Sequence, residues 1–415
     1  MLTCYYASPQ YIEKLRNSPD GSHIEGFSQE LEAAGYAQLT ARRHIRAAAH
    51  LLHWAARKRI TPEALQEADI DRFKRHLPRC QCYPYGHSDR RGLVSGAQLF
   101  LGYLQHVGVV PVHPAGDNKP IPPLLEAFRQ WMKAQRGTSE ATLYNYGLAI
   151  QALLRSLGED PSDFDARGLR EFILEQSRHC GWAKTRTMVT AVRAFIRFLI
   201  ADGKCTVGHD EAILAPAHWR LSTLPRYLPV EEVERVIGAC DPNTPLGIRD
   251  RAIVLLLARL GVRAGDIVSL RLDDIDWEEA WVRVSGKGRR ESRLPLSQEV
   301  GDAIAAYLTE VRPKVETNRL FLRSRAPLRG FGSHCAVSVI VAKAMRQAGV
   351  TPATRGAAHL LRHSAATTWL QQGASLQEIA ILLRHRSIET TTIYAKVDVG
   401  RLKQVAQPWP EVEPC

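Results

Sequence analysis

The chain has no apolar run long enough to span a bilayer. A spanning helix needs about 20 apolar residues in a row, and runs such as AIVLLLA at 252–258 stop well short. The amino terminus does not combine a basic stretch, an apolar run and a small-residue cleavage site, so no secretory signal is expected. There is no Gly-rich phosphate loop of the Walker type and no carboxylate pair spaced to hold magnesium. No cofactor is expected.

Cysteine is also sparse. Cys4, Cys80, Cys82, Cys180, Cys205, Cys240, Cys335 and Cys415 are scattered over 415 residues. They read as reduced thiols of a cytoplasmic protein rather than a disulfide framework. One local cluster, Cys80, Cys82 and His87 in RCQCYPYGHSD, supplies at most three metal ligands. Structural zinc takes four, usually in spaced pairs. No second pair follows at such spacing, and the segment is expected to be a loop without metal.

Acidic residues are outnumbered, 43 against 55 basic ones, for a formal charge of +12 and a pI near 9.4. No single tail carries the excess; it is spread over helices and one hairpin. Such a spread suits a long polyanion, because each phosphate that is neutralised releases counterions. A basic but otherwise ordinary enzyme is the alternative on charge alone.

The length exceeds one ordinary domain, at roughly 100–200 residues each. Residues 1–115 read as helical. In LTARRHIRAAAHLLHWAARKR, Ile45, Ala48, Ala49, Leu52 and Ala56 recur at helical spacing, with Arg42, Arg43, Arg46, Arg57, Lys58 and Arg59 around them. The proline-rich VVPVHPAGDNKPIPP at 109–123 reads as a linker. Residues 124–208 are helical again, 224–400 mix helices with short strands, and 401–415 form a tail.

The two helical segments resemble each other. FSQELEAAGYAQLTARRHIRAAAHLLHWA from Phe27 aligns with FRQWMKAQRGTSEATLYNYGLAIQALLRS from Phe128. In both, an acidic stretch and a short helix follow, then an aromatic-bearing helix. The expected fold is mostly α: two amino-terminal helical bundles, an apparent duplication, and a small α+β domain at the carboxy terminus.

That last domain carries the chemistry. In ARLGVRAGDIVSL, Gly261 ends a buried helix as a left-handed cap or tight turn, and Arg263 follows. A guanidinium is a planar fork that can engage two phosphate oxygens at once. AWVRVSG and RRESRLPL read as two strands, with Lys287 at the tip of the Gly-Lys-Gly connection at 286–288. In AAHLLRHSAATTWLQQG, His359 and Arg362 lie three apart and project from one helix face, so both can address one phosphate. His363 is assigned to a supporting or packing role. In LQEIAILLRHRSIETTTIYAKV, His385 ends a helix and Tyr394 comes nine residues later.

In order and spacing, Arg263, Lys287, His359, Arg362, His385 and Tyr394 resemble the active site of the tyrosine recombinases, the phage-integrase and Xer-like family. The likeness covers about residues 124–400. It implies a site-specific recombinase that cuts and rejoins double-stranded DNA through a 3′-phosphotyrosine, without ATP. The implied roles are nucleophile for Tyr394, phosphate clamps for Arg263 and Arg362, and phosphate contacts or proton handling for His359 and His385. Lys287 would protonate the leaving 5′ oxygen. The two arginines would favour the phenolate, since an ordinary phenol with a pKa near 10 is a poor nucleophile.

Thr142, Tyr146 and the KTRTMVTAVRAFIRFL helix fall where the family places a DNA-crossing bundle. Lys184, Arg186, Arg193 and Arg197 would then face phosphates, and Arg289, Arg290 and Arg293 would flank the hairpin tip. Two departures stand out: Asp266 replaces the commoner Glu, and Arg384 replaces the glycine usual before the histidine. Family behaviour implies a homotetramer, or a mixed tetramer with sibling recombinases, on paired sites. The alternatives are a strand transferase of the type IB topoisomerase or telomere-resolvase kind, and a catalytically silent DNA-binding relative.

Overall fold

The computed structural model describes residues 2–19, 21–82, 90–111, 121–214, 224–285, 291–351, 356–397 and 402. No helix among them is long and apolar enough to cross a membrane. The chain divides into two compact units: Met1–Val112 with Thr223–Cys415, and His113–Ser222.

The amino-terminal part of the first unit contains α1 (Pro9–Arg16), α2 (Ser22–Ala33), α3 (Gln38–Arg57), α4 (Glu67–His76) and α5 (Arg90–His106). Ile45, Ala48, Ala49 and Leu52 of α3 are buried, as their spacing predicts, but Ala56 is exposed and Ala55 is buried in its place. An α-helix turns every 3.6 residues, so a simple repeat drifts off the core-facing stripe along so long a helix. Helix α3 crosses α5 closely: a Cβ on Gly96 would lie 2.6 Å from that of Ala47. Two small residues set that approach.

The second unit holds α6 (Pro123–Arg136), α7 (Glu140–Leu157), α8 (Ala166–His179) and α9 (Trp182–Ala201). The order of α2 to α5 recurs in α6 to α9, down to one 3₁₀ turn in the same place, Pro62–Ala64 in the first and Pro161–Asp163 in the second. The aromatic packing recurs as well. Phe27 meets Phe100 edge-on with centroids 5.1 Å apart, and Phe128 meets Phe195 edge-on at 5.4 Å. All four rings are buried, and truncating any one to alanine would cost about 3–5 kcal/mol.

The carboxy-terminal part comprises α10 (Val230–Gly238), α11 (Pro245–Leu260), α12 (Ala264–Ser269), strands β1 (Ile275–Asp276), β2 (Trp281–Ser285) and β3 (Glu291–Pro295), then α13 (Gln298–Ala306), α14 (His334–Gln347), α15 (Ala357–Gln371) and α16 (Leu376–Leu382). The strands form one antiparallel sheet in the order β1-β2-β3. Val282, Val284 and Leu294 alternate onto its inner face and join a core built around α11. Helix α11 is buried along most of its length, and Thr244 caps it by accepting from the Gly247 amide at 3.1 Å. A smaller core joins α15, α16 and the chain beyond: Ala366, Leu370, Ile379, Leu383 and Tyr394.

Candidate active site

Gly261 makes the first turn of the site. Its φ is +58°, and a Cβ there would meet the Trp369 ring and Leu383 at 2.9 and 3.0 Å. Only glycine fits both the left-handed backbone and the close approach. The turn orients Arg263, whose backbone amide donates to Asp266 Oδ2 at 2.9 Å.

The side chains of Arg263 and Arg362 converge on the end of α16. Arg263 Nη2 donates to the carbonyls of Leu383 and Arg384 at 3.2 and 3.1 Å. Arg362, only 3% exposed, donates to the carbonyls of Gly261 and Leu383. The Leu383 carbonyl is thus shared by both guanidiniums, which locks their relative placement.

Arg384 forms a third cation. Its backbone is left-handed, φ +54°, a conformation that costs roughly 1–2 kcal/mol for a residue with a Cβ. That explains why glycine suits the position. Here the strain is offset by an ion pair between Arg384 Nη2 and Asp266 Oδ2, with both side chains 7% exposed. The Nε and Nη1 of Arg384 are buried without a hydrogen-bond partner.

Three guanidiniums therefore face one carboxylate. Burial pushes Arg362 down to about 9, helped by Arg263 and Arg384, and Arg263 is lowered by burial and by Arg384. Like charges crowded in a poorly solvated site disfavour one another. Three guanidiniums against one carboxylate leave an excess of positive charge in the site. Such a site is complementary to a phosphodiester anion.

The histidines are neutral beside these cations. His385 Nδ1 lies 2.7 Å from Thr391 Oγ1, which orients the ring, and burial, Arg362 and Arg263 push it down to about 4. His359 is exposed but is lowered by partial burial, Arg362 and Arg263. Its ring stacks edge-on against His363 at 4.5 Å. His363 is pushed down to about 4, first by burial and then by His359, Arg362 and His385.

Tyr394 is 2% exposed, and its phenol oxygen lies 2.7 Å from His363 Nδ1. Burial raises the phenol to about 12, and the opposing pull of Arg362 does not overcome it. Arg362 thus acts in the expected direction, towards the phenolate. In this state desolvation outweighs the cations and the phenol keeps its proton.

Of the six residues singled out by sequence, Arg263, His359, Arg362, His385 and Tyr394 gather in this region. Lys287, with Arg289 and Arg290, lies outside the described residues. The strands bounding that segment pair in register from Trp281↔Pro295 to Ser285↔Glu291. Arg293 is exposed on β3 opposite Arg283. In α9, Lys184 and Arg186 are exposed, but Arg193 donates to the Ile213 carbonyl and Arg197 pairs with Asp210 at 2.7 Å. The last two stitch α9 to the chain that follows it.

Residues 226–401 match the phage integrase family. The chain is 32% identical over 414 residues to y4rA of Sinorhizobium fredii (strain NBRC 101917 / NGR234), described as an integrase/recombinase, covering 98% of each. It is 29% identical over 296 residues to the tyrosine recombinase XerD of Listeria monocytogenes serotype 4b, covering 68% of this chain and 96% of the relative. Among solved structures, the fold resembles the XerH site-specific recombinase on its palindromic difH substrate, with TM-score 0.54, 19% identity, and 69% and 85% of the two chains covered. It also resembles a lambda integrase dimer on a COC′ core site, with TM-score 0.52, 20% identity, and 79% and 91% covered. The chain belongs to the tyrosine recombinase family.

Proposed function

We propose that this enzyme cuts and rejoins double-stranded DNA at specific sites, with Tyr394 as the nucleophile. The observation that carries the reading is the buried cluster of Arg263, Arg362 and Arg384 against the single carboxylate of Asp266, beside the Tyr394 phenol. Arg263 and Arg362 would clamp the nonbridging oxygens of the scissile phosphate and stabilise the charge of its pentacoordinate transition state. His359 and His385 would hydrogen-bond the same phosphate. Attack by Tyr394, its phenol proton passing to the neighbouring His363 Nδ1, forms the Tyr–O–P bond and breaks the bond to the 5′ oxygen, which takes a proton from Lys287. The reverse attack by a 5′ hydroxyl reseals the strand and releases Tyr394, so no ATP is consumed.

The expected working form is a tetramer on paired sites, of this chain alone or with sibling recombinases. The likeness to an integrase/recombinase over 98% of both chains supports integration, excision or transposition of a mobile element, and the expected compartment is the cytoplasm.

Covalent trapping tests the reading. The protein is incubated with DNA from the ends of its own genetic locus, nicked near the candidate crossover, and run on denaturing gels. An adduct on a 3′ end in the wild type and none in Tyr394→Phe is the expected result. DNA binding without an adduct, with or without sibling recombinases, would sink it.

A further inference from the structure

The amino-terminal bundle contains a group of side chains that the recombination chemistry does not use. His50 projects from the middle of α3, His76 is the last residue of α4, and Cys80 and Cys82 follow the 3₁₀ turn Leu77–Arg79. One ligand atom from each of the four lies within 4.8 Å of all the others. Cys80 Sγ is 3.3 Å from His50 Nε2, and Cys82 Sγ is 3.4 Å from His76 Nε2.

We propose that His50, His76, Cys80 and Cys82 bind one Zn²⁺ as a closed structural site. The distances suit it: bonds of about 2.3 Å to sulfur and 2.0–2.1 Å to nitrogen in a tetrahedron put each S···N edge near 3.6 Å. Two isolated S–H···N hydrogen bonds would explain each contact alone but not the convergence of both pairs on one point. Binding displaces the two thiol protons to solvent and leaves two thiolates and two neutral imidazoles around a dication. That set has no net charge, which suits a site where His50 and Cys82 are buried.

The surroundings fit a metal–thiolate centre. The Cys82 amide donates to Cys80 Sγ at 3.3 Å, and Arg57 Nη1 donates to Cys82 Sγ at 3.9 Å. Such N–H···S bonds compensate charge on bound thiolates. The His50 ring meets Phe73 edge-on at 5.0 Å, and Trp54 lies against both Phe73 and His76. This apolar wall orients the imidazoles and keeps water out. With four protein ligands no position remains for substrate, so the role is to pin the end of α4 and Cys80–Cys82 onto α3. Arg57, Lys58, Lys74, Arg75 and Arg79 are exposed around the pinned segment, and the metal would hold that basic edge in one shape. His87, the third residue of the sequence cluster, lies outside the described residues and is not needed for the set.

The test uses the full-length protein, purified with zinc present and then dialysed free of unbound metal. One equivalent of zinc per chain is expected, and replacement by Co²⁺ should give the visible bands and sulfur-to-metal charge transfer of a tetrahedral S₂N₂ centre. Cys80→Ser/Cys82→Ser should lose both signals, and His76→Asn should weaken affinity by about 10-fold or more, since even supporting contacts are worth that much. His87→Ala should retain the full equivalent. If the double variant is insoluble, the wild type is chelated instead. Its melting midpoint should then fall and be restored by zinc but not by magnesium. A wild type with no bound zinc and no cobalt spectrum overturns the proposal, as does a double variant that keeps either signal or a midpoint that ignores the chelator.

Discussion

The phenol oxygen of Tyr394 lies 2.7 Å from Nδ1 of His363, a residue one position past the Arg362 clamp. The phenol is held near 12 and His363 near 4, so at neutral pH the tyrosine O–H is the donor and the imidazole the acceptor. With these values the imidazole is a weak base for the phenol, and its larger contribution is to hold the O–H in place as hydrogen-bond acceptor. His363→Ala should therefore slow adduct formation by up to about 10²-fold, the cost of a misplaced reacting group. DNA affinity should stay within about twofold, since a neutral side chain releases no counterions. Single-turnover cleavage on a suicide substrate reads the first quantity and a binding titration the second. An unchanged cleavage rate would reduce the contact to packing.

Arg384 sets a strained backbone against a buried ion pair, and the magnitudes decide between them. Glycine at this position would relieve roughly 1–2 kcal/mol of left-handed strain. It would also leave Asp266 with the Arg263 amide and the Arg263 and Arg362 guanidiniums nearby but without its direct ion pair, and breaking a buried pair costs about 3–5 kcal/mol. Arg384→Gly should thus destabilise the protein by about 2 kcal/mol, the difference between the two. Urea unfolding measures it. A variant more stable than the wild type would show that the strain outweighs the pair.

Much of this site was legible in the sequence because its geometry is local. Gly261 had to turn, Arg263 had to follow, and His359 and Arg362 had to share a helix face. The contact of His363 was missed although a signal existed: it is four residues from His359, and i,i+4 pairs lie on one face as surely as i,i+3 pairs. The state of Tyr394 was not legible, because desolvation depends on tertiary packing by Ala366, Leu370, Ile379 and Leu383. The four-donor cluster was hidden for a similar reason. His50 lies far from Cys80 in sequence, and only the packing of α3 against α4 and its following turn brings them together. Ala56 shows the limit of periodicity over a helix of 20 residues.

The depressed histidines make stability depend on pH in a stated direction. His363 faces His359, Arg362, His385 and Tyr394, and His385 faces Arg362, Arg263 and His359. Both bind protons more weakly when folded, near 4, than in the unfolded chain, near 6.5. Their contribution is fully present above the unfolded value and is lost as pH falls through the folded one. Melting midpoints should decline as pH drops from 6.5 to 4, and the decline should be shallower in His385→Asn. Carboxylates elsewhere add to the acid loss, so the difference in slope is the decisive reading. Parallel curves would show that His385 titrates alike in both states.

The cations of the amino-terminal bundle divide into two kinds, and salt dependence can separate them. Arg43, Arg46 and Lys58 are exposed on and beside α3. Arg42 instead donates to the Tyr5 carbonyl, and its guanidinium lies over the Tyr6 ring at 5.7 Å from the centroid. If this bundle grips flanking DNA, each phosphate neutralised steepens the slope of log affinity against log salt by about 0.9. Replacing Arg43, Arg46 and Lys58 together by alanine should flatten that slope by about 2–3 units while leaving the melting midpoint nearly unchanged. Arg42→Ala should do the reverse, lowering the midpoint with little effect on the slope. A triple variant with the wild-type slope would mean that these three side chains are solvated and that the bundle holds DNA through other residues or not at all.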